Sequence, residues 1–179
     1  MLQELARQSA AKEDYLVNTS CLVMETDGSV PTLRMAGREE VQLSPLGIRP
    51  TAHQQIGTYL GIPAKYYGKM LAEDTELLAY NVNRWFQRNP EQRMLRTIDG
   101  HARAFLSNRY RRIENLDIAR FTLPRLAELD GARVESCEVT EDRMYIKVVN
   151  PRLQAEVVPG DVVQAGVIIS NSETGQGAV

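Results

Sequence analysis

The dipeptide Asp99-Gly100 restricts the folds open to this chain more than any other feature, because it lies between two runs of β-strand composition. Residues 93–98 precede it and residues 101–107 follow it. Both central residues of a type I′ turn need positive φ, and Asp-Gly is well suited to that conformation. We therefore predict an antiparallel hairpin with a two-residue loop.

Such a loop determines which side chains of the hairpin share a face, because side chains alternate along a strand. Arg96 is then expected directly opposite Arg103, with Phe105 on the same face. Like charges in facing positions cost stability. An anionic ligand would remove that cost, and so would an acidic residue from elsewhere in the chain, such as Glu114 or Asp117.

Arginine is concentrated around this hairpin. Residues 81–112 contain eight arginines and two acidic residues, a charge of +6 in a chain of net charge −2, so that the remainder carries −8. The planar guanidinium suits phosphate better than an ammonium group does. Aromatic residues stand among the arginines: Trp85, Phe86, Phe105 and Tyr110. Basic groups interleaved with aromatic rings are typical of grooves that bind single-stranded nucleic acid.

The hairpin and the residues after it therefore predict a nucleic-acid-binding site. Arginines and small polar groups would contact phosphates, while histidine and phenylalanine would stack on bases. The predicted site residues are Arg93, Arg96, His101, Arg103, Phe105, Ser107, Asn108, Arg109, Tyr110, Arg111 and Arg112. The expected partner is single-stranded DNA, or RNA. In the competing interpretation these arginines form salt bridges with the chain's own carboxylates.

Composition limits the class of protein. The chain has 179 residues, of which 43% are hydrophobic and 25% charged, as in ordinary globular domains. The isoelectric point near 5.8 excludes a uniformly basic DNA-coating protein. Cys21 and Cys137 form no metal-binding or redox motif, which is typical of the cytoplasm. No segment approaches the roughly 20 apolar residues of a membrane span, so no membrane partner is expected.

The hydrophobic pattern predicts an α+β fold with a largely antiparallel, curved sheet and helices packed on one face. Residues 1–14 are expected to be a flexible leader, and residues 15–179 a single domain that is incomplete at its C-terminus and able to form a homo-oligomer. Helical periodicity and caps predict helices over residues 51–60, 63–71 and 75–88. Strands are predicted at residues 22–24, 32–35, 40–43, 134–140, 144–149 and 161–170.

Residues 93–110 carry the sequence RMLRTIDGHARAFLSNRY, which resembles the core of a phage- and plasmid-associated family called domain of unknown function 932. Three other segments agree with the resemblance: residues 61–67 (GIPAKYY), Asn115 with Asp117, and residues 170–178 (SNSETGQGA). It covers residues 51–179 and implies a mobile-element context. By analogy of fold and context it implies recombination or replication functions such as single-strand annealing. Family members usually continue past the last segment, which implies truncation.

The last of these segments is also a candidate phosphate-binding loop. Glycines allow backbone amides to approach an anion closely. The residues concerned are Ser170, Asn171, Ser172, Gly175 and Gly177. The Gly-Lys-Ser/Thr signature of a nucleotide triphosphatase is missing, so a simple strand-ending loop is the alternative.

Other functions have weaker support in the sequence. A metal-dependent nuclease would need converging carboxylates, but Glu135 and Glu138 point to opposite faces of one strand. His53 and His101 are too isolated for a zinc site. We therefore expect no catalytic residue, metal or cofactor. Residues 51–70 resemble a helix-turn-helix, yet the glycine inside the second helix favours simple packing. The main alternative function is a protein-interaction factor, such as an inhibitor of host defence, without nucleic-acid binding.

Overall fold

The computed structural model describes residues 1–27, 30–36 and 44–177, and the chain divides into two compact units. Residues 11–110 form the hairpin unit; residues 1–10 and 111–179 form the ribbon unit. The sequence led us to expect one domain. The difference arises because the start of the chain and its last third share a separate hydrophobic core. A contact between segments so far apart produces no pattern that can be recognised in a short stretch of sequence.

The described part of the chain contains both helices and strands. In order they are α1 (Leu2–Ala11), β1 (Lys12–Asn18), a 3₁₀ turn (Thr19–Cys21), β2 (Leu22–Glu25), β3 (Thr32–Met35), β4 (Leu46–Ile48), α2 (Pro50–Tyr59), α3 (Ala64–Glu73), α4 (Thr75–Arg88), β5 (Gln92–Ile98), β6 (His101–Ser107), α5 (Asn115–Ala127), β7 (Arg133–Val139), β8 (Met144–Val158) and β9 (Asp161–Asn171). The strand predicted at residues 40–43 lies outside the described residues.

The hairpin unit is built on a six-stranded sheet of order β1-β5-β6-β4-β3-β2. Neighbouring strands are antiparallel except β4 and β6, which are parallel. The sheet curls into a half-barrel with helices packed on it, which confirms the predicted α+β class. Its core joins sheet and helix side chains, among them Leu22, Leu33, Ile56, Leu78, Phe86, Leu95 and Phe105.

Helix α4 shows how local sequence produces this packing. The carboxylate of Asp74 accepts a hydrogen bond of 2.9 Å from the backbone N–H of Leu77, which satisfies one free amide of the first turn. Leu78, Val82 and Phe86 follow at intervals of four and are fully buried. The helix therefore presents one continuous apolar stripe to the sheet.

The ribbon unit contains an antiparallel sheet of order β7-β8-β9. Helices α1 and α5 contribute to its core, which includes Leu5, Leu116, Ala119, Met144, Ile146 and Val148. Strand β7 pairs with β8 only as far as Val149, whereas β8 and β9 stay paired up to Val158 and Asp161. Residues 150–165 therefore form a two-stranded ribbon.

The first 14 residues differ from the flexible leader that we expected. They form α1 and the beginning of β1, and Leu5 is buried. The apolar residues of this polar stretch are too scattered to show a helical period, so the sequence did not predict α1. The helix is stabilised instead by its tertiary contacts. Within the described residues, no helix is both long and apolar enough to cross a membrane.

Candidate nucleic-acid interface

The central hairpin turn has the predicted geometry. Asp99 has φ 49° and Gly100 has φ 73°, so both loop residues are left-handed, as a two-residue loop of this kind requires. Ile98 pairs with His101 on the two sides of the loop. The hairpin predicted from Asp-Gly is therefore confirmed.

The register beyond the loop differs from the prediction. An irregularity between Arg96 and Thr97 shifts the pairing, so that Arg96 lies opposite Ala104 and Leu95 lies opposite Phe105. The prediction that Arg96 faces Arg103 is therefore wrong. A β-bulge adds one residue to one strand and changes every facing pair beyond it, and no sequence rule placed a bulge here.

Arg96 is neutralised inside the molecule. Its side chain is 0% exposed, and its Nε lies 2.8 Å from Oδ1 of Asp14. The two residues are direct cross-strand partners in the β1–β5 ladder. For this arginine the competing interpretation, an internal salt bridge, is correct. The carboxylate comes from neither of the two candidates named from the sequence.

Phe105 and Arg103 are also withdrawn from the surface. Phe105 is 1% exposed and Arg103 4%. The Phe105 ring stacks on Phe86 with centroids 5.8 Å apart and contacts Tyr59 at 5.5 Å. Phe105 cannot stack on a base without leaving this core, so the role predicted for it is wrong.

Arg93 is held by aromatic rings. Its guanidinium carbon lies 4.5 Å from the ring centre of Tyr59 and 5.1 Å from that of Phe105. Its Nε is buried and has no hydrogen-bond partner among the described atoms. Burial lowers the pKa of Arg93 from its ordinary value. This arrangement is a cation–π contact that stabilises the fold, and Arg93 remains only partly buried.

The segment of residues 107–112, called here the basic segment, is the part of the predicted site that stays accessible. Ser107, Asn108, Arg109, Arg111 and Arg112 are exposed. The hydroxyl of Ser107 accepts a hydrogen bond of 3.3 Å from the amide of Arg109, which shapes a turn after β6. Among the described residues, Arg109 and Arg111 have no ion-pair partner.

Two other predicted residues lie beside the ends of β6. Tyr110 is partly buried against a small apolar cluster that contains Met94 and Leu106. His101 is exposed, and its Nδ1 lies 2.8 Å from the carbonyl oxygen of Asp99. The imidazole rests against Gly47 of β4, where a Cβ atom would come within 2.5 Å of the ring. The imidazole can occupy this position because residue 47 has no side chain.

The candidate phosphate loop directs its hydrogen bonds inward. The hydroxyl of Ser172 accepts from the amides of Thr174 at 3.3 Å and Gln176 at 3.0 Å. The buried carboxylate of Glu173 accepts from the amide of Asn115 at 2.7 Å, at the start of α5. These two loop amides are already bonded internally and are not available to an anion. The geometry therefore favours the alternative, a loop that closes the ribbon unit.

A buried pair between α2 and α3 has no signal in the sequence. His53 Nδ1 lies 2.9 Å from the hydroxyl of Tyr67, and both residues are buried. Burial lowers the pKa of His53 to about 4 and raises the pKa of Tyr67. A cavity of about 270 Å³ opens beside Tyr67 and Gly57. Within the described part of the chain, no three His, Cys, Asp or Glu side chains converge as a metal site.

Comparison with known proteins returns no match to a family model, to a curated protein or to a solved structure. The similarity to the domain of unknown function 932 family therefore stays a prediction from the motifs in residues 61–67, 93–110 and 170–178.

Proposed function

We propose that this chain binds single-stranded DNA through the basic segment, residues 107–112. One observation supports the proposal: Arg109 and Arg111 have exposed side chains and no acidic partner among the described residues. Buried arginines such as Arg96 already have internal roles. The proposal is therefore narrower than the prediction from sequence, which included both strands of the hairpin.

The basic segment has the composition of a phosphate-contacting surface. Six consecutive residues span at most about 20 Å, so its side chains stay within reach of a few neighbouring phosphates. Serine and asparagine side chains can donate to phosphate oxygens beside the arginines. With Phe105 buried, stacking falls to the exposed His101 and the partly buried Tyr110. Binding should therefore depend mainly on phosphates and discriminate weakly between sequences.

The biological setting rests on the motif resemblance alone. A phage or plasmid protein that binds single-stranded DNA would serve replication or recombination, and annealing of complementary strands is one such activity. The proposed activity is binding without catalysis.

The experiment is a binding titration of the whole chain with a labelled single-stranded oligonucleotide at several salt concentrations. The double variant Arg109→Gln, Arg111→Gln should weaken binding and make the slope of log K against log salt shallower by about 1.4, since each phosphate contact contributes about 0.7. Competition with single-stranded RNA and duplex DNA of the same sequence identifies the preferred ligand.

A matched control separates a local contact from a change in net charge. Arg120→Gln with Arg133→Gln removes the same charge from exposed positions outside the basic segment. This control should bind as the parent does. Equal weakening in both double variants, or no binding by the parent at low salt, would overturn the proposal. The second outcome would leave the protein-interaction factor as the better hypothesis.

A further inference from the structure

The outer edge of β9 is a strand edge without the usual protection against pairing. β9 is the last strand of its sheet, and no described strand pairs with its outer side. Native proteins normally guard such edges with charged residues, prolines or bulges. From Val162 to Asn171 the strand has no charged residue and no proline. A long uncharged edge of this kind is a template for another β-strand.

The other free edges of this sheet are guarded. The ribbon part of β8 also lacks a second neighbour among the described strands, but it contains Pro151, Arg152 and Glu156. Proline cannot donate a ladder hydrogen bond, and charges resist burial in a new sheet. At the other end of the sheet, β7 contains Arg133 and Glu138 among its charged residues. Among the described edges of this sheet, β9 is therefore the unprotected one.

The side chains along β9 are apolar and exposed. Val162 is 53% exposed and Ile168 is 64% exposed, although both belong to a regular strand. A two-stranded ribbon is only marginally stable by itself in water, and a third strand would stabilise it. Exposed valine and isoleucine side chains along β9 favour a partner that buries them.

We infer that the partner is a second copy of this chain, with β9 paired antiparallel to β9 across a two-fold axis. The sequence of the strand is self-complementary about Ala165: Val162 would face Ile168 of the second copy, and Val163 would face Val167. Facing residues in an antiparallel pair lie on the same side of the sheet, so these apolar pairs would cover one another. The result is a continuous six-stranded sheet with an isologous interface.

Sedimentation and size-exclusion measurements of the whole chain test this inference. The parent should dimerise as protein concentration rises. Val162→Lys with Ile168→Lys places like charges in facing positions at both ends of the paired segment, and it should raise the dimer Kd about tenfold or more. Lysine is common on protected edges, so the ribbon unit should still fold.

The control keeps the composition change and moves it to β8. Val157→Lys with Val158→Lys alters two comparably exposed residues, at 64% and 58%, away from the β9 edge. It should leave the dimer Kd unchanged. A parent that stays monomeric would overturn the inference, and so would equal weakening by both double variants.

Cross-linking tests the register independently of stability. In a background with Cys21→Ser and Cys137→Ser, Ala165→Cys should form a disulfide between two copies, since facing Cα atoms in such a pair lie about 4.5–5.5 Å apart. Val157→Cys should not cross-link under the same oxidation. Efficient cross-linking at residue 157 with none at residue 165 would contradict the proposed pairing.

Discussion

Arg96 and Asp14 lie directly opposite each other in the β5–β1 ladder, and their ion pair is closed at 2.8 Å with the arginine fully buried. Arg96, the most buried arginine of residues 81–112, thus helps to hold the sheet of the hairpin unit together. Removing either partner would leave a charge in a place from which water is excluded. Arg96 therefore contributes to folding, and it is not among the arginines proposed to bind DNA.

Asp14→Asn should destabilise the hairpin unit by about 3–5 kcal/mol, the usual cost of an uncompensated buried charge. Trp85 is the single tryptophan and lies in α4, so its fluorescence during urea unfolding reports on this unit. Asp14→Leu combined with Arg96→Met should recover part of the loss, because it removes both charges. Arg109→Gln is the control and should leave the transition unchanged. A loss below about 1 kcal/mol in Asp14→Asn would contradict a structural role.

Two glycines should respond to alanine with opposite signs. Gly100 has φ 73° and open space where a Cβ atom would lie, so Gly100→Ala should cost about 1–2 kcal/mol through backbone strain alone. Gly68 lies inside α3, also with open space, so Gly68→Ala should stabilise by up to about 1 kcal/mol. Urea midpoints measured by Trp85 fluorescence check both. The same sign for the two variants would rule out this account.

His53 should make the stability of the hairpin unit depend on pH. Its pKa is about 4 in the folded state against 6.5 ordinarily, because burial disfavours the charged ring. The unfolded chain thus binds more protons, and stability is full above pH 6.5 and falls as the pH drops toward 4, by at most about 1.4 kcal/mol per pH unit.

His53→Gln should flatten this dependence, whereas His101→Gln should keep it, since His101 is exposed. The measurement is the free energy of unfolding across the range between the folded and ordinary pKa values of His53, followed by Trp85 fluorescence. An equally steep pH dependence in His53→Gln would show that other groups cause it.

Glu173 should hold the start of α5. Glu173→Ala removes the acceptor of the Asn115 amide and should cost about 1–3 kcal/mol in the ribbon unit. Hydrogen exchange in residues 115–127 should become faster in this variant. Glu173→Gln keeps an acceptor, so the stability of its ribbon unit should lie between that of the parent and that of Glu173→Ala. Added phosphate should not slow exchange in the parent, because the amides of Thr174 and Gln176 already bond to Ser172. Slowing in residues 170–177 would restore the phosphate-binding hypothesis.

Local signals in the sequence predicted much of the secondary structure. Asp99-Gly100 specifies its turn because both residues tolerate positive φ, and that requirement is met within two residues. The stripe of Leu78, Val82 and Phe86 specifies α4 because helical periodicity is visible in a short window. The concentration of arginine in residues 81–112 is likewise a property of the chain, whatever its fold.

Tertiary structure alone decided what those arginines do. The bulge beside Arg96 replaced the expected facing pair, and β1, 82 positions earlier in the chain, supplied Asp14 as its partner. Phe105 was drawn into the core by Phe86 and Tyr59 of α4 and α2. Strand pairing between distant segments carries no local pattern, because it depends on which surfaces meet after the chain has collapsed. The sequence by itself determined the turn, helix α4 and the charge, because these depend on short stretches of residues. The packing determined which charges remain for a partner.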